Sequence, residues 1–593
     1  MAGGSLVALV AYGSQNVILS GNPQMTYFYK SFKRYSHFAM ENITIALNGP
    51  NELDFDAPTQ LRAKIPRYSD LMSELVFSFT IPDIYSKFLT PNPTRTGQWE
   101  FQWVRYLGAA IIQNAAFFVG GQKIQEFDGS YLLTRALLDK DQDEFEKWKN
   151  LVGDVSELTN PSIGAYAGGS SHTGYPTVRV NPVSNPTAAF TGTIAGTTLT
   201  VSAISSGLIT VGSYIYGSGV AANTTVATII SGSGGIGVYS LNNSQQLSQS
   251  QLWAIATPTS GAGLQLNRPS IFGRDIHVPL SFWFTESPSQ AIPLVGLQYH
   301  ECEVQLTLAP INQLYTILDP SGNRVNPEYR VVSPQANINQ NTPNYVSYTD
   351  LSGHTRWFFT DFGATIEKDS WPSLNPRIQG TFVSLPKEEQ QIFATRPLSY
   401  LVNQVTQYPN PGLYVRSVLD LQTHNPLTRL IFVQRRSDAG QRNDFANFTN
   451  WSTYPYAPFS PTPGVVSFLQ QTNTSGLLIL NSQIDMIRGV RVLCDGTEIQ
   501  EFKNVDFFTK YSTYKYTKGI GQQGLPIYSF QLGQNTMQPS GSLNASRIRN
   551  FQVEVDVYPL PLNTTYTYDV DIYVENINFF EVVAGMGGLK FAL

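Results

Sequence analysis

One stretch of this chain occurs twice, and that repetition restricts the fold more than any other feature. Phe117-Phe-Val-Gly-Gly-Gln-Lys-Ile-Gln-Glu-Phe127 is echoed within Val490-Arg-Val-Leu-Cys-Asp-Gly-Thr-Glu-Ile-Gln-Glu-Phe502. In each copy an apolar run meets a two-residue corner, Gly120-Gly121 or Asp495-Gly496. Gly-x-x-Ile-Gln-Glu-Phe then follows in the same register, 375 positions on (121 to 496). Gly-Gly and Asp-Gly reach the positive φ values of a type I′ turn at little cost, so each copy reads as a β-hairpin whose second strand carries Ile-Gln-Glu-Phe. The expectation is one β-domain present twice. Both copies should keep the alternation of buried side chains, with Ile124 and Ile499 in equivalent topological places.

The order of parts around the two copies agrees. In the first half, Leu75, Phe77, Phe79 and Ile81 share one face of a strand by the two-residue period. The hairpin follows, then the run Ile276–Phe284 with Ile276, Val278, Leu280, Phe282 and Phe284 on one face. Cys302–Leu308 alternates, and Ile378–Leu385 closes the half. The second half offers Tyr414–Leu419, Arg429–Val433, Val490–Cys494, Ile527–Leu532, Phe551–Val557 and Val570–Val574. About eight short strands per half imply an all-β chain of two tandem eight-stranded jelly rolls with long loop insertions and a few short helices. An antiparallel sheet of that size hides its edges by folding onto a second one.

The divisions follow from composition. Residues 1–24 read as an N-terminal arm ending in the turn signal Gly21-Asn-Pro-Gln24, and residues 25–385 as the first roll. Pro386 followed by acids predicts a connector helix over 386–396, leaving 397–593 as the second roll. Asp139–Lys149, with acids early and lysines late, predicts a solvated helix. From Val180 to Asn267 there is no Asp, Glu, Lys or Arg. Short apolar alternations such as Thr198–Ser202 persist there, so a small inserted β module is expected at about 187–256, projecting from a loop. Residues 310–375, rich in Asn, Pro, Gly and Ser, form a second long excursion.

Charged residues are 14% and aromatics 12% of the 593 residues, which suits β-rich domains whose surfaces are largely covered by neighbours. A net charge of −5 with no basic tract argues against direct contact with nucleic acid, which needs a positive face. Cys302 and Cys494 lie in apolar alternating stretches and read as buried thiols rather than a disulfide. No run approaches the length of an apolar membrane span.

Several separated stretches together resemble the major capsid proteins of nucleocytoplasmic large double-stranded DNA viruses. They are Gly21–Thr26, Tyr35–Glu41, Val278–Phe284, Ala291–Leu294, Leu297–Glu301, His424–Pro426, Gln538–Ile548 and Gly585–Leu589. Asn22, Pro23, Pro279, Phe282, Trp283, His300, Asn425, Pro426, Pro539, Gly541, Arg547 and Gly587 are the signature positions, all expected to be structural. The resemblance implies two tandem jelly rolls and a homotrimer with a pseudo-hexagonal outline that tiles an icosahedral shell beside neighbouring capsomers. It also implies a place in the outer shell of a virion assembled in the host cytoplasm. Minor capsid proteins are expected partners, and the apolar arm is expected to dock beneath the shell, on them or on an internal membrane.

No chemistry competes with this reading. Gly519-Ile-Gly-Gln-Gln-Gly524 fits GxGxxG, but Leu525-Pro526 and a strand follow it where a phosphate site needs a helix N-terminus. The six histidines are scattered, with no metal-ligand spacing, and His300-Glu301 reads as a structural hydrogen-bonding pair. No cofactor or metal is expected, and the chain is not expected to be an enzyme. A tandem β-sandwich that binds or cleaves glycans is the alternative. Cleavage would need a convergent carboxylate pair, whereas Glu303, Glu554 and Asp556 fall singly on strands. A minor or penton shell protein of the same lineage is a further alternative. Among the Asn-x-Ser/Thr sequons, Asn223 and Asn242, in the inserted module, are the glycosylation candidates.

Overall fold

The computed structural model describes residues 3–29, 32–84, 101–159, 188–221, 224–255, 271–318, 324–325, 374–451, 483–533, 538–560 and 566–591. The first half contributes eight core strands: β1 Ala39–Ile45, β2 Thr59–Lys64, β3 Leu71–Ile81, β4 Ile112–Val119, β5 Gln122–Phe127, β6 Arg274–Pro279, β7 Cys302–Leu308 and β8 Arg377–Ser384. The second contributes β9 Leu398–Leu413, β10 Ser417–Leu421, β11 Pro426–Arg436, β12 Ile487–Cys494, β13 Thr497–Asn504, β14 Ile527–Ser529, β15 Phe551–Val557 and β16 Tyr568–Val583.

All the pairings are antiparallel, and the two halves use one plan. The first pairs β1-β8-β3-β6 in one sheet and β2-β7-β4-β5 in the other; the second pairs β9-β16-β11-β14 and β10-β15-β12-β13. Each is a jelly roll. Within each roll one face of either sheet is apolar, and the two apolar faces enclose the core. In the first, Leu75, Phe77, Phe79 and Ile81 on β3 are at most 1% exposed, and on β11 of the second so are Leu430 and Phe432. Each such side chain contributes roughly 1.5–3 kcal/mol.

The duplication is also written into the irregularities. A β-bulge inserts one residue and is kept as a feature of a fold. Ser73 is the extra residue where β3 meets β8, and Thr428 where β11 meets β16. Gln113 is extra between β4 and β7, as Arg488 is between β12 and β15. Ile124 is extra in the β4–β5 hairpin, as Ile499 is in β12–β13. The hairpin corners are the expected type I′ pair, with φ of 57° and 82° at Gly120 and Gly121, and 47° and 80° at Asp495 and Gly496.

Several local expectations are corrected. The run Ile276–Phe284 leaves the sheet at Pro279 and turns into a 3-10 helix at Trp283–Thr285, so Trp283 is buried together with Phe282 and Phe284. The stretch Tyr414–Leu419 straddles a corner: β9 ends at Leu413 and β10 begins at Ser417. The 16-residue β9 runs through Pro409 and Pro411. It lies at a sheet edge, where a missing N–H costs no ladder bond. Glu554 is buried on β15, where Arg416 and Arg491 cover it. Cys302 is buried, but Cys494 is only half-buried; both are free. The arm forms two exposed helices, α1 Gly4–Val10 and α2 Ser14–Ser20.

Helix α3, Gly129–Asp139, directly follows β5 and is buried from Gly129 to Leu138. The expected solvated helix is α4, Gln142–Leu151, capped by Asp141 and anchored by buried Trp148. Asp139 belongs to the end of α3 instead. The connector is α5, Lys387–Thr395, with Pro386 at its N-cap. Residues 188–255 form a four-stranded sheet of their own. It has a separate core of Phe190, Ile194, Leu199, Val201, Tyr239 and Leu252, among others. Of the 310–375 excursion, the described part holds a short strand, Tyr315–Leu318, paired with Phe101–Trp103; most of the rest lies outside the described residues.

Candidate functional site

The best-developed site is the seam between the rolls. Tyr400, Val402, Ile431, Val433, Tyr573 and Phe580 of the second roll belong to the same apolar cluster as the first roll's core. The edge strand β5 lies against β9. Gln125 Nε2 donates to Asn403 O (2.8 Å), and Gln404 Nε2 donates back to Ile124 O (2.7 Å). The side-chain oxygen Gln125 Oε1 accepts from Trp283 N at 2.8 Å, and the Trp283 ring sits 5.3 Å from that of Phe580. This contact buries Ile124 completely, whereas its equivalent Ile499 remains 42% exposed. The duplicated motif therefore shares its topology but not its burial.

An ionic lattice crosses the same seam. Arg429 on β11, 2% exposed, donates to Asp139 at the end of α3 (Nη1 to Oδ1, 2.7 Å) and to Glu575 on β16 (Nη2 to Oε1, 2.7 Å). Tyr131 Oη donates to Glu575 at 2.8 Å, and Tyr573 Oη to Asp128 at 2.6 Å. Arg135 joins Asp139 to Glu286. Burial works against the Arg429 charge, but Asp139 and Glu575 outweigh it and hold the guanidinium above its ordinary pKa. Burial likewise pushes the Asp139 carboxyl up; Arg429 and Arg135 outweigh that, and the net shift is downward. Burial raises Asp128 against the hydrogen bond from Tyr573, and raises Glu286 against Arg135. An isolated buried charge would be untenable, so the lattice holds only while both rolls are in place.

The GxGxxG stretch is part of this seam. Gly519 N donates to Leu138 O at 2.7 Å and Gly521 N to Leu137 O at 3.0 Å, satisfying carbonyls that the end of α3 leaves open. The Gly loop reading holds, with a helix terminus from the other roll as its partner.

The signature residues fall in four places. Phe282, Trp283, His300 and Gly587 meet at the seam. His300 Nδ1 lies 2.8 Å from Gly587 O, and a Cβ at Gly120 would come within 2.6 Å of the His300 ring. A Cβ at Gly587 would lie 2.6 Å from Leu297 Cδ2. Pro279 ends β6. Asn425, Pro426, Gly541 and Arg547 shape the entry to β11: Asn425 (φ 64°) donates its N–H to Ser546 Oγ, and Pro426 pairs with Asn544. Gly541 has φ 141°, and Arg547 and Pro539 are exposed. Asn22 (φ 51°) and Pro23 lie exposed after α2. Asn242 is exposed, with Oδ1 accepting from Thr225 N (2.7 Å), and Asn223 lies outside the described residues. Sequence reasoning missed Asp139, Arg429 and Glu575. The signal available was Tyr131–Leu138, a helical run whose apolar residues are spread round the helix and interrupted only by Thr134 and Arg135, which marks a helix covered on most sides.

Comparison with known proteins agrees with this architecture. The family described as large eukaryotic DNA virus major capsid protein matches residues 389–588, and the family described as major capsid protein N-terminus matches 26–164 and 264–351. The major capsid protein of Chrysochromulina ericina virus is 22% identical over the full length of both chains. The capsid protein in the PBCV-1 virus capsid superposes with a TM-score of 0.52 at 17% identity, covering 96% of this chain and 100% of that one. The Faustovirus major capsid protein superposes with a TM-score of 0.54 at 13% identity, covering 97% and 96%. With two rolls of one plan, a seam built from the signature residues and family matches in both halves, the chain belongs to the major capsid proteins of the large eukaryotic DNA viruses, structural proteins rather than enzymes.

Proposed function

We propose that this protein builds the outer shell of a large DNA virus as a homotrimer, a capsomer with a pseudo-hexagonal outline that tiles an icosahedral lattice. The observation that carries this reading is the pair of rolls with one strand plan and shared bulges. Two similar rolls per chain in a closed threefold ring present six similar edges. Light scattering on the purified protein should give about 197 kDa, three times the chain's 65.7 kDa. A monomer at micromolar concentration would reject the trimer.

The division into an arm (1–24), a first roll (25–385), a connector (386–396) and a second roll (397–593) belongs to the same proposal, with 187–256 as a projecting module. Asn242 within that module is proposed as a glycan acceptor, which mass spectrometry of virion protein would detect. The arm, with Leu6, Val7, Leu9 and Val10 on α1 and Val17, Ile18 and Leu19 on α2 all exposed, is proposed to dock beneath the shell on minor capsid proteins or a membrane surface. Among the described residues, no helix is long and apolar enough to cross a membrane. Assembly in the host cytoplasm is consistent with two free thiols.

A further inference from the structure

The end of the molecule around the connector helix α5 carries an apolar patch. Tyr68, Tyr299, Ile392, Val583 and Met586 are 43–75% exposed there. Their elements interlock, which makes them neighbours. Arg67 donates to Gln298 O and His300 O at 2.9 and 3.1 Å, holding the loops of Tyr68 and Tyr299 together. Tyr299 N donates at 2.9 Å to Gly585 O, in the turn between Val583 and Met586. A Cβ on Gly296 would lie 3.1 Å from Phe393 O and 3.3 Å from Val582 Cγ1, so α5, which carries Ile392, closes the same corner.

The N-terminal arm leaves the first roll at this end. Ala39, the first residue of β1, pairs with Ser384, just before Pro386. Ser36 Oγ donates to Glu389 Oε1 on α5 at 3.3 Å, whereas Glu389 Oε2 is buried with no hydrogen-bond partner among the described residues. A buried carboxylate oxygen in that state is costly until a donor reaches it. Residues 1–40 contain Lys30, Lys33 and Arg34 and no acid. Lys33 and Arg34 are exposed immediately before Ser36, and the first turn of α5 presents Glu388 beside Glu389. Upstream of these cations, α1 and α2 bury none of their residues. Seven-residue helices without a packed face do not persist in water, so they need a surface.

We propose that the arm folds back over this end of its own chain, with Lys33 and Arg34 paired to Glu388 and Glu389 and the apolar side chains of α1 and α2 covering the patch. The proposal rests on the reading of residues 1–24 as an arm that works beneath the shell, and adds where the arm lies until a shell partner takes it. Between Ser20 and Ser36 the chain advances 36 − 20 = 16 residues, a reach of at most about 55 Å. Tethering at that length sets an effective concentration on the order of millimolar, so the chain's own arm wins over that of a second copy at micromolar protein. An anionic membrane is a poorer occupant, since Glu388 and Glu389 repel it. Covering the patch keeps free copies from associating through it, and release of the arm exposes both surfaces at once.

The test uses the full-length protein in a Cys494→Ser background, where the remaining thiol, Cys302, is buried. Val10→Cys or Ile18→Cys is combined with Met586→Cys and treated with a short bismaleimide. A cross-link within the chain, read by peptide mass spectrometry, is expected from at least one pair, and none when either arm variant is combined with Leu208→Cys. Leu208 lies on the inserted module, from which the chain returns at Ile271 opposite Ile84, beyond the end of β3 that lies away from the connector. Glu388→Lys with Glu389→Lys should cut the yield by about fivefold, and adding Lys33→Glu with Arg34→Glu should restore it to within about twofold. No cross-link within the free chain overturns the proposal and leaves docking beneath the shell standing. A cross-link undiminished in virions carrying the same variants supports the fold-back and overturns that docking, because the arm has then not left its own chain. Links only between chains assign the patch to a second copy's arm and overturn the fold-back, and a yield unmoved by charge reversal overturns the pairing with Glu388 and Glu389.

Discussion

Replacing Arg429 with Met should destabilise the whole chain rather than one roll. Arg429 is 2% exposed and is the only cation within bonding distance of Glu575 among the described ion pairs, while Asp139 keeps Arg135. Methionine fills similar volume, so the cost is mainly that of stranding two buried carboxylates, about 3–5 kcal/mol. The apolar cluster of the first roll runs across the seam into Tyr400, Ile431 and Tyr573, so the rolls should unfold together. At roughly 2.1 cal/mol/K per residue over 593 residues, the unfolding entropy is about 1.2 kcal/mol/K, and the Tm should fall by about 2–4 °C in one calorimetric transition. If the second roll of about 200 residues unfolded alone, the same penalty would lower its Tm by roughly 7–12 °C. Adding Asp139→Asn and Glu575→Gln removes the stranded charges and should recover most of the loss. A shift below 1 °C, or two separate transitions, would refute the argument that the seam joins the rolls into one cooperative unit.

Acid should not open the seam until the pH falls below the ordinary carboxylate range. The lowered pKa of Asp139 stabilises the fold above its unfolded value of 3.8, and that contribution is lost as pH falls through the lower folded value. Asp128 and Glu286 have the opposite sign: their raised pKa values favour the fold at low pH, and that benefit is lost as pH rises through them. Melting temperatures between pH 7 and 5 should therefore hold level or rise, and a steady fall there would count against the charge assignments. Thiol titration should find both cysteines unreactive at pH 8, since burial pushes Cys302 up to about 12 and Cys494 to about 11. Of the two, half-buried Cys494 should label first as pH rises. Replacing residues 188–255 with a short Gly/Ser linker should leave the Tm of the rolls within about 2 °C, because that module has its own core. A larger loss would mean the module braces the first roll.

Much of the fold was legible because its cause is local. Positive-φ corners need Gly-Gly or Asp-Gly, and alternation needs only a sheet with one dry face, so the hairpins, the strands around Phe77, Leu306 and Val555, and the connector helix could be located from residues alone. The charge-free insert stood out by composition. Strand ends were less legible. The strand Leu398–Leu413 was not among the expected ones, since it runs through Pro409 and Pro411 as only an edge strand can, and Pro279 ended a run whose periodicity continued past it.

What the sequence determined by itself was the doubling: two corners of one turn type, each followed by Ile-Gln-Glu-Phe in the same register, allow little besides one β-domain repeated. Only the tertiary structure decided that the two copies would live differently, with Ile124 sealed under the second roll and Ile499 left open, and with Arg429 held between carboxylates 290 and 146 residues away. Periodicity reports which side of a strand is apolar. What lies across that side depends on how whole rolls dock, and that is settled by charges and edges far apart in the chain.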